Sequence, residues 1–312
     1  MFSYLHAPVA WALGGIVCLL LVASAIVTFL KRLHPEKSYL ELTQRIRSWW
    51  IIVGIFSCAI LLSRAASIIF FAFVSFLSLK EYFSLIPTRR ADRRVLFWAY
   101  VAIPIQYFWV HMDWYGMFII FIPVYLFLLL PMRMVIIGET KEFLRAAGTV
   151  HWGLMTMVFS LSHAAFLLVL APEKNPLAGG AGLVFYLVFL TQFNDVAQYV
   201  WGKLTGRHKI IPKVSPNKTW EGFLGGLVTT VAVAFLLSPY LTPLTPVESI
   251  LSGLLIGCGG FIGDVTISAL KRDLGVKDSG SLIPGHGGIL DRIDSLTYTA
   301  PLFFHYIHYL HY

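Results

Sequence analysis

The chain has 312 residues, of which 57% are hydrophobic and only 13% are charged. An ordinary soluble domain carries about 25% charged residues, and no water-soluble fold has enough interior to hide this much apolar surface. The composition therefore excludes a disordered chain, a secreted disulfide scaffold and a soluble enzyme. The net charge of +8 indicates basic loops beside anionic lipid headgroups and no nucleic-acid partner, because no basic soluble domain is present to bind one.

Ten apolar segments are candidates for membrane-spanning helices, each of which needs about 20 mostly apolar residues. The second and third segments meet at Arg64 and form either two helices or one bent or re-entrant unit. The predicted fold is an all-α, polytopic integral membrane protein with nine to ten transmembrane helices. The segments are 9–30, 49–63, 65–79, 95–110, 115–131, 150–171, 181–201, 222–239, 249–270 and 295–311.

Positive charges alternate between loops along the chain. All but Arg64 and Lys174 of the 24 lysine and arginine residues lie in five loops, which are 31–48, 80–94, 132–149, 202–220 and 271–294. Because cytoplasmic loops are rich in lysine and arginine, the pattern predicts these loops at the cytoplasmic face and both termini outside. A compact chain of this kind suits a bacterial inner membrane.

The chain divides into three predicted regions. Residues 1–94 form N-terminal helices and include a basic amphipathic helix over 31–48, lying on the inner leaflet. Residues 95–180 form the middle transmembrane helices. Residues 181–312 hold two long polar loops on the cytoplasmic side and form the predicted catalytic region.

Several carboxylates of the last region lie within or beside apolar segments. Asp195 and Asp264 fall inside or at the inner end of such segments, Glu221 opens another, and Asp291 and Asp294 begin the last. An ionisable group at membrane depth is costly and marks a functional site by default. The alternative is a structural carboxylate that pairs with a buried lysine or arginine.

Three of these carboxylates predict a divalent-cation site. Asp291 and Asp294 are three residues apart, so a helix would place both on one face. With Asp264, they bring three carboxylates to the inner membrane face from two helices. Magnesium prefers oxygen ligands and takes its remaining ligands from water and phosphate. The sequence therefore predicts Asp264, Asp291 and Asp294 as metal ligands for a phosphate-bearing substrate.

The two polar loops are suited to phosphate binding. Residues 271–288 combine glycines, whose main-chain amides approach anions closely, with the cations Lys271, Arg272 and Lys277. In the loop 210–222, Lys218 and Thr219 precede a predicted helix N-terminus, which favours a phosphate. A plain basic cytoplasmic loop is the alternative for this second segment.

Glycines recur four residues apart in pairs along the ninth apolar segment. Gly253 and Gly257 form one pair, and Gly259 and Gly263 form the other. Small residues at this spacing let helices approach closely. The pattern predicts tight helix packing here, and it leaves a homodimer contact open.

At this point the motifs resemble a known family. Ser268-x-x-Lys271-Arg272, Lys277-Asp278 and Pro284-Gly285-His286-Gly287-Gly288-x-x-Asp291-Arg292-x-Asp294 resemble the signature of the phosphatidate cytidylyltransferases, or CDP-diacylglycerol synthases. The run from Ser215 to Gly222 and the pattern Asp195-x-x-x-Tyr199-x-x-Gly202-Lys203 are similar to upstream motifs of that family. The resemblance covers roughly residues 190–300.

The resemblance implies a reaction and a set of roles. CTP and phosphatidate, or a related lipid phosphate, would give CDP-diacylglycerol and pyrophosphate with Mg²⁺, and a second monovalent or divalent cation is left open. By similarity, Asp264 and Asp291 hold metal with support from Asp294, and Lys271 and Arg272 complete the catalytic set. The implied substrate-binding residues are Lys213, Ser215, Lys218, Thr219, Glu221, Lys277, Asp278, His286, Arg292 and Asp195.

His286 is expected to bind phosphate or support the fold, because a phosphate monoester ionises near neutrality and needs no strong base. Two departures from the family pattern concern the substrate. Val196 stands where the family has a threonine or serine, and Ile267 stands where it commonly has a glutamate. They favour a divergent paralogue that acts on an unusual lipid phosphate.

Three other functions remain open from the sequence. They are a CTP-dependent lipid kinase, which would release CDP, a non-catalytic homologue and an ion-coupled transporter. Buried carboxylates and glycine-interrupted helices also suit transport. However, the clustering of carboxylates with phosphate-type loops at the inner face favours an enzyme.

Overall fold

The computed structural model describes residues 7–35, 38–87, 89, 93–280 and 287–312. Nearly all of these residues are helical. The α-helices are α1 (Ala7–Leu33), α2 (Leu40–Leu62), α3 (Arg64–Leu85), α4 (Arg93–His111), α5 (Tyr115–Ile120), α6 (Phe127–Ile137), α7 (Phe143–Leu154), α8 (Ser160–Phe166), α9 (Gly179–Thr205), α10 (Trp220–Leu241), α11 (Pro246–Asp273), α12 (Leu290–Ile293) and α13 (Leu296–His311).

Short irregular elements complete the described chain. The π-helical turns Phe121–Leu126 and Met155–Phe159 join α5 to α6 and α7 to α8, and Pro172–Lys174 forms a 3₁₀ turn. Between α9 and α10, β1 (Lys209–Ile211) pairs with β2 (Ser215–Thr219) as an antiparallel hairpin. This hairpin is absent from the all-α prediction, because two runs of three and five residues give no sequence period.

Seven helical segments of the described chain are long and apolar enough to cross a membrane. They are Ala7–Leu33, Leu42–Leu62, Arg64–Leu85, Tyr115–Ile137, Gly179–Thr205, Trp220–Leu241 and Pro246–Asp273. The all-α, polytopic membrane fold is thus confirmed. The other three predicted segments are helical as α4, the α7–α8 pair and α13, and they are shorter or less apolar than these seven.

The second and third apolar segments are separate helices with a break at Ser63. This residue is extended, with φ −172° and ψ 162°, and its hydroxyl accepts the N–H of Ala66 at 3.1 Å. The Ser67 hydroxyl donates back to the carbonyl of Ala59 at 2.9 Å. Ser63 therefore ends α2 and caps α3, which resolves the two alternatives at Arg64.

The amphipathic helix predicted over 31–48 is wrong in its bounds. α1 continues to Leu33, and α2 begins at Leu40 and runs without interruption into the span. Pro35 lies between them, where its ring and its missing N–H prevent helix continuation. Lys31 and Arg32 therefore lie at the end of α1, and Arg45 and Arg47 lie near the start of α2.

The C-terminal helices α9, α10, α11 and α13 pack tightly around small residues. A Cβ atom added to Gly253 would lie 2.8 Å from the Cα of Val231, and one on Gly263 would lie 2.6 Å from the carbonyl oxygen of Asp294. The predicted glycine packing is confirmed for these positions. It brings α11 against the chain just before α13, where the site residues lie.

Polar side chains inside this C-terminal bundle are paired across helices. The hydroxyls of Thr191 and Thr299 are 2.8 Å apart, and Thr230 donates to Oδ1 of Asn194 at 3.1 Å. Buried polar groups cost little free energy only when they are hydrogen-bonded in this way. The pairs fix the rotation of α9 relative to α10 and α13, and so the direction of Asp195.

Candidate active site

A first group, the carboxylate–lysine cluster, consists of Asp195, Lys218, Asp264 and Asp294. It draws on α9, the end of β2, α11 and the junction between α12 and α13. The Nζ atom of Lys218 lies 2.5 Å from Oδ2 of Asp264 and 3.2 Å from Oε1 of Gln198. The Ser295 hydroxyl donates to Asp195 at 3.0 Å, and the Ser295 N–H donates to Asp294 at 2.8 Å. The structure thus unites four predicted residues from four elements.

The charges of this cluster act on one another at short range. Burial raises the pKa of Asp294 well above its usual value, and the neighbouring charges of Asp264 and Asp195 raise it further. Burial alone would lower the pKa of Lys218, but the carboxylates of Asp264 and Asp195 outweigh it and raise that pKa. The cluster is therefore rich in negative charge, and the ammonium group of Lys218 is its internal counter-ion.

A second group, the Asp291 cradle, consists of Asp291, Lys271, Ser279 and Gly288. Lys271 Nζ lies 2.6 Å from Oδ1 of Asp291. The backbone N–H groups of Ser279 and Gly288 donate to Oδ2 at 2.9 and 3.0 Å, and the Ser279 hydroxyl lies 2.9 Å from the same oxygen. Both oxygens of this buried carboxylate are therefore occupied by protein donors.

The donors of the cradle also set its protonation. Burial acts to raise the pKa of Asp291, but the hydrogen bond from Lys271 and those from the backbone prevail, so the pKa is lowered. Gly287, with φ +78°, closes one side of the Asp291 cradle, and its lack of a side chain permits this, since a Cβ atom there would lie 2.5 Å from Oδ2 of Asp291. Asp291 is thus a buried, fully paired anion.

The predicted triad of metal ligands is not assembled as one group. α12 is a single turn, and Asp291 and Asp294, at its two ends, contact different partners. Across the described ranges, no three or more His, Cys, Asp or Glu side chains are arranged to hold a metal ion. The metal-ligand role of Asp291 therefore remains a prediction, and its contacts with Lys271 and the backbone argue against it.

The oxygen donors of the carboxylate–lysine cluster nonetheless fit magnesium chemically. In sites of this kind, magnesium takes one or two carboxylates and completes its shell with water and substrate phosphates. Asp264 and Asp294 are carboxylates of this kind, and the short contact between Lys218 and Asp264 shows that a cation is accommodated there. These carboxylates therefore have the chemistry to hold a divalent cation that also takes water and phosphate ligands.

Arg292 is positioned to bind an anion. Its Nε atom is buried and has no hydrogen-bond partner within the described residues. Its guanidinium lies within electrostatic range of Asp195 and Asp294. A buried guanidinium N–H without a partner is costly, so a phosphate oxygen is a suitable acceptor for it.

Thr219 and Glu221 are predicted substrate ligands, and in the structure their side chains contact neighbouring protein groups. Oγ1 of Thr219 accepts the N–H of Gly222 at 3.2 Å and caps α10. Glu221 accepts the N–H groups of Arg207 and His208, and its Oε1 lies 2.6 Å from Nδ1 of His208. A substrate role for either side chain has no support in these contacts, because both fasten the β-hairpin to α10.

The remaining predicted residues lie in or beside the two loops. Arg272 donates from Nε to the carbonyl of Val214 at 3.2 Å, which joins α11 to the hairpin turn. Lys213 is exposed in that turn, Ser215 begins β2, and Lys277 and Asp278 are exposed beyond α11. The remaining residue, His286, lies outside the described residues.

The departures from the family pattern fall in different environments. Val196 is 51% exposed on the outside of α9, and Ile267 is completely buried. Gln198, two residues after Val196, touches the cluster, because its Oε1 accepts from Lys218 while its Nε2 has no partner among the described residues.

One residue of the site escaped the sequence analysis. Glu81 of α3 accepts the N–H of Ile289 at 2.9 Å and that of Leu290 at 3.2 Å, and it also accepts the hydroxyl of Ser279. It lies in the N-terminal region, far from the motifs in sequence. The available signal was an acidic residue near the end of an apolar helix, beside Lys80.

Comparison with known proteins identifies relatives over most of the chain. Residues 43–310 match the model of the cytidylyltransferase family. The Escherichia coli (strain K12) protein named uncharacterized protein YnbB is 48% identical over 298 residues, which is 96% of this chain and 98% of that protein.

Two further relatives carry the name phosphatidate cytidylyltransferase. The one from Mycobacterium leprae is 40% identical over 137 residues, 44% of this chain and 43% of the relative. The one from Haemophilus influenzae is 42% identical over 129 residues, 40% of this chain and 45% of the relative. The alignments thus span less than half of each of these two relatives. The family match extends from α2 into α13, and the chain belongs to the cytidylyltransferase family, which places it among the nucleotidyltransferases.

Proposed function

We propose that the protein transfers the cytidylyl group of CTP to phosphatidate or a related lipid phosphate. An oxygen of the lipid phosphate attacks the α-phosphorus of CTP, the bond to the bridging oxygen breaks, and pyrophosphate leaves. The products are CDP-diacylglycerol, or the matching CDP-lipid, and pyrophosphate. The carboxylate–lysine cluster beside Arg292, whose buried Nε has no hydrogen-bond partner among the described residues, carries this proposal, since together they offer both signs of charge to a phosphate–cation pair.

The side chains of the chain supply positioning and charge rather than covalent chemistry. The guanidinium of Arg292 is suited to hold a phosphate oxygen, and Lys218 balances the carboxylates until substrate enters. Phosphoryl and nucleotidyl transfer depend mainly on such positioning and electrostatic stabilisation. When magnesium is bound, it neutralises charge on the triphosphate, and Asp264 and Asp294 are the carboxylates that would hold it.

The membrane setting fits a lipid acceptor. The cluster lies in the halves of α9 and α11 that lead into the lysine-rich loops, on the side of the membrane at which the phosphate of a bilayer lipid meets these loops. We place this face on the cytoplasmic side of a bacterial inner membrane, because CTP is made in the cytoplasm.

The test uses the full chain in detergent micelles with radiolabelled CTP, magnesium and phosphatidate. Label entering the lipid phase with one pyrophosphate per lipid supports the proposal, and CDP with a phosphorylated lipid would establish a kinase instead. Asp264→Asn is expected to lower turnover at least about 100-fold, the range for a lost electrostatic contact in a transition state.

The matched control is Asp113→Asn, an exposed aspartate at φ +53° between α4 and α5, where asparagine is well tolerated. It is expected to retain full turnover. Absence of lipid-phase label with phosphatidate and with a panel of other lipid phosphates would refute the proposal.

A further inference from the structure

Glu81 joins the N-terminal helices to both ends of the phosphate-type loop. Its carboxylate receives Ser279 from the start of the loop, and Ile289 and Leu290 from its end. The two backbone donors open α12, the turn that carries Asp291 and Arg292. Glu81 therefore contacts both ends of the segment 279–290 from a different helix.

The loop backbone is shaped to admit this carboxylate. A Cβ atom on Gly288 would overlap Oε1 of Glu81 and lie 2.5 Å from the Ser279 hydroxyl. A Cβ atom on Gly280 would lie 3.3 Å from the carboxyl carbon of Glu81. Glycine is thus required at position 288 for the loop to close around the carboxylate.

The Ser279 hydroxyl connects Glu81 to the Asp291 cradle. It touches both carboxylates, Glu81 and Oδ2 of Asp291, but it has one hydrogen to donate. Asp291 Oδ2 already accepts two backbone N–H groups, from Ser279 and Gly288. The hydroxyl hydrogen is therefore available to Glu81, and one serine aligns the two carboxylates.

We propose that Glu81 is a positioning residue of the active site, which holds Ser279 and the start of α12 in the geometry that Asp291, Lys271 and Arg292 need. This inference rests on the proposed function for its catalytic consequence. Its structural part, the anchoring of the loop by α3, stands on the contacts alone. The role belongs to a carboxylate, because each of its two oxygens receives a different backbone N–H.

The decisive variant is Glu81→Gln. The side chain keeps its size, but one of its two terminal atoms becomes an NH₂ group that faces a backbone donor. We expect faster hydrogen–deuterium exchange in peptides covering 287–293, a kcat at least about tenfold lower and a raised KM for CTP, because small misplacements of positioned groups cost this much or more. Glu81→Asp, one methylene shorter, should also lower kcat.

Glu248→Gln is the matched control. Glu248 also accepts a backbone N–H at a helix start, that of Thr245 at 2.8 Å, in the capping box of α11. It lies roughly 24 Å along this helix from Asp264. Its variant should lower thermal stability and speed exchange at residues 245–250, with kcat per folded molecule and KM unchanged.

The outcomes separate the two proposals. If the wild-type protein turns over no CTP with any lipid phosphate, the proposed function fails, while the exchange rates still test the anchoring by Glu81. Unchanged exchange over 287–293 in Glu81→Gln would overturn the anchoring. Faster exchange with unchanged kcat and KM would overturn the positioning role, as would a loss of Vmax explained wholly by a smaller folded fraction.

Discussion

Asp291 and Asp294 are three residues apart and have opposite surroundings. Asp291 lies among donors, with Lys271 at 2.6 Å and two backbone N–H groups, and its pKa is lowered. Asp294 lies within electrostatic range of two other carboxylates, and its pKa is raised. The same residue type, buried to a similar degree, is thus an anion paired with protein donors in one place and, in the other, a carboxyl group whose negative charge is disfavoured unless a cation is near.

The comparison teaches that the hydrogen-bond donors and charges around each aspartate, and not the motif that the two share, indicate its role. Both aspartates belong to one signature, so a motif argument gives them the same role. The structure separates them, because the Asp291 side chain is held by donors from Ser279 and Gly288, while Asp294 lies within electrostatic range of Asp264 and Asp195. Three substitutions test this separation.

The largest expected effect is on stability, in Asp291→Asn. The variant leaves the buried ammonium of Lys271 facing an amide, and breaking a buried ion pair from one side costs about 3–5 kcal/mol. Thermal unfolding in detergent should show a clear loss of stability. Adding Lys271→Met should recover part of it, because the unpaired charge is then gone. Equal stability of the wild type and Asp291→Asn would erase the distinction between the two aspartates.

The second effect is on activity, in Asp294→Asn. The asparagine keeps an oxygen for the Ser295 N–H and removes the repulsion from Asp264 and Asp195. Turnover should fall about 100-fold, as for other lost electrostatic contacts. Thermal stability without substrate should be equal to or above that of the wild type. A parallel loss of stability would show that Asp294 is structural, like Asp291.

The smallest expected effect is that of Gly263→Ala, which tests the close packing of α11 against Asp294 and Ser295. The added methyl group would lie 2.6 Å from the carbonyl oxygen of Asp294 and 3.0 Å from Cα of Ser295. We expect a loss of about 1–3 kcal/mol, the usual cost of overpacking, together with reduced turnover.

Gly54→Ala is the control for this substitution, since a Cβ atom at Gly54 of α2 meets nothing within 4 Å. Its stability and turnover should equal or exceed those of the wild type. If Gly263→Ala behaves like Gly54→Ala, close packing at Gly263 does not set the distance between Asp264 and Asp294.

The sequence alone predicts much of the fold for a simple physical reason. Membrane spans need long apolar runs, and all ten predicted segments are helical. The break at Ser63 and the extension of α2 to Leu40 depend on local capping and on Pro35, which hydropathy does not measure. The β-hairpin depends on its contacts with Glu221, which no short-range pattern reveals.

The residues of the candidate site were predictable, but their grouping was not. Asp195, Lys218, Asp264 and Asp294 all carry charge beside apolar runs, which marks them as unusual. Their convergence requires close helix contact at Gly263 and cross-helix pairs such as Thr230 with Asn194. The role of Glu81 depends on a contact across 198 residues of sequence, for which one chain offers no signal.

The long sequence separation between Glu81 and Ser279 has a consequence for biosynthesis. α3 enters the membrane long before the ribosome reaches Ser279, which lies 198 residues later in the chain. Non-local contacts of this kind form late, because the cost of closing the long intervening loop comes first. We therefore expect the N-terminal helices to assemble before Ser279, Ile289 and Leu290 contact the Glu81 carboxylate, which places this contact late in folding.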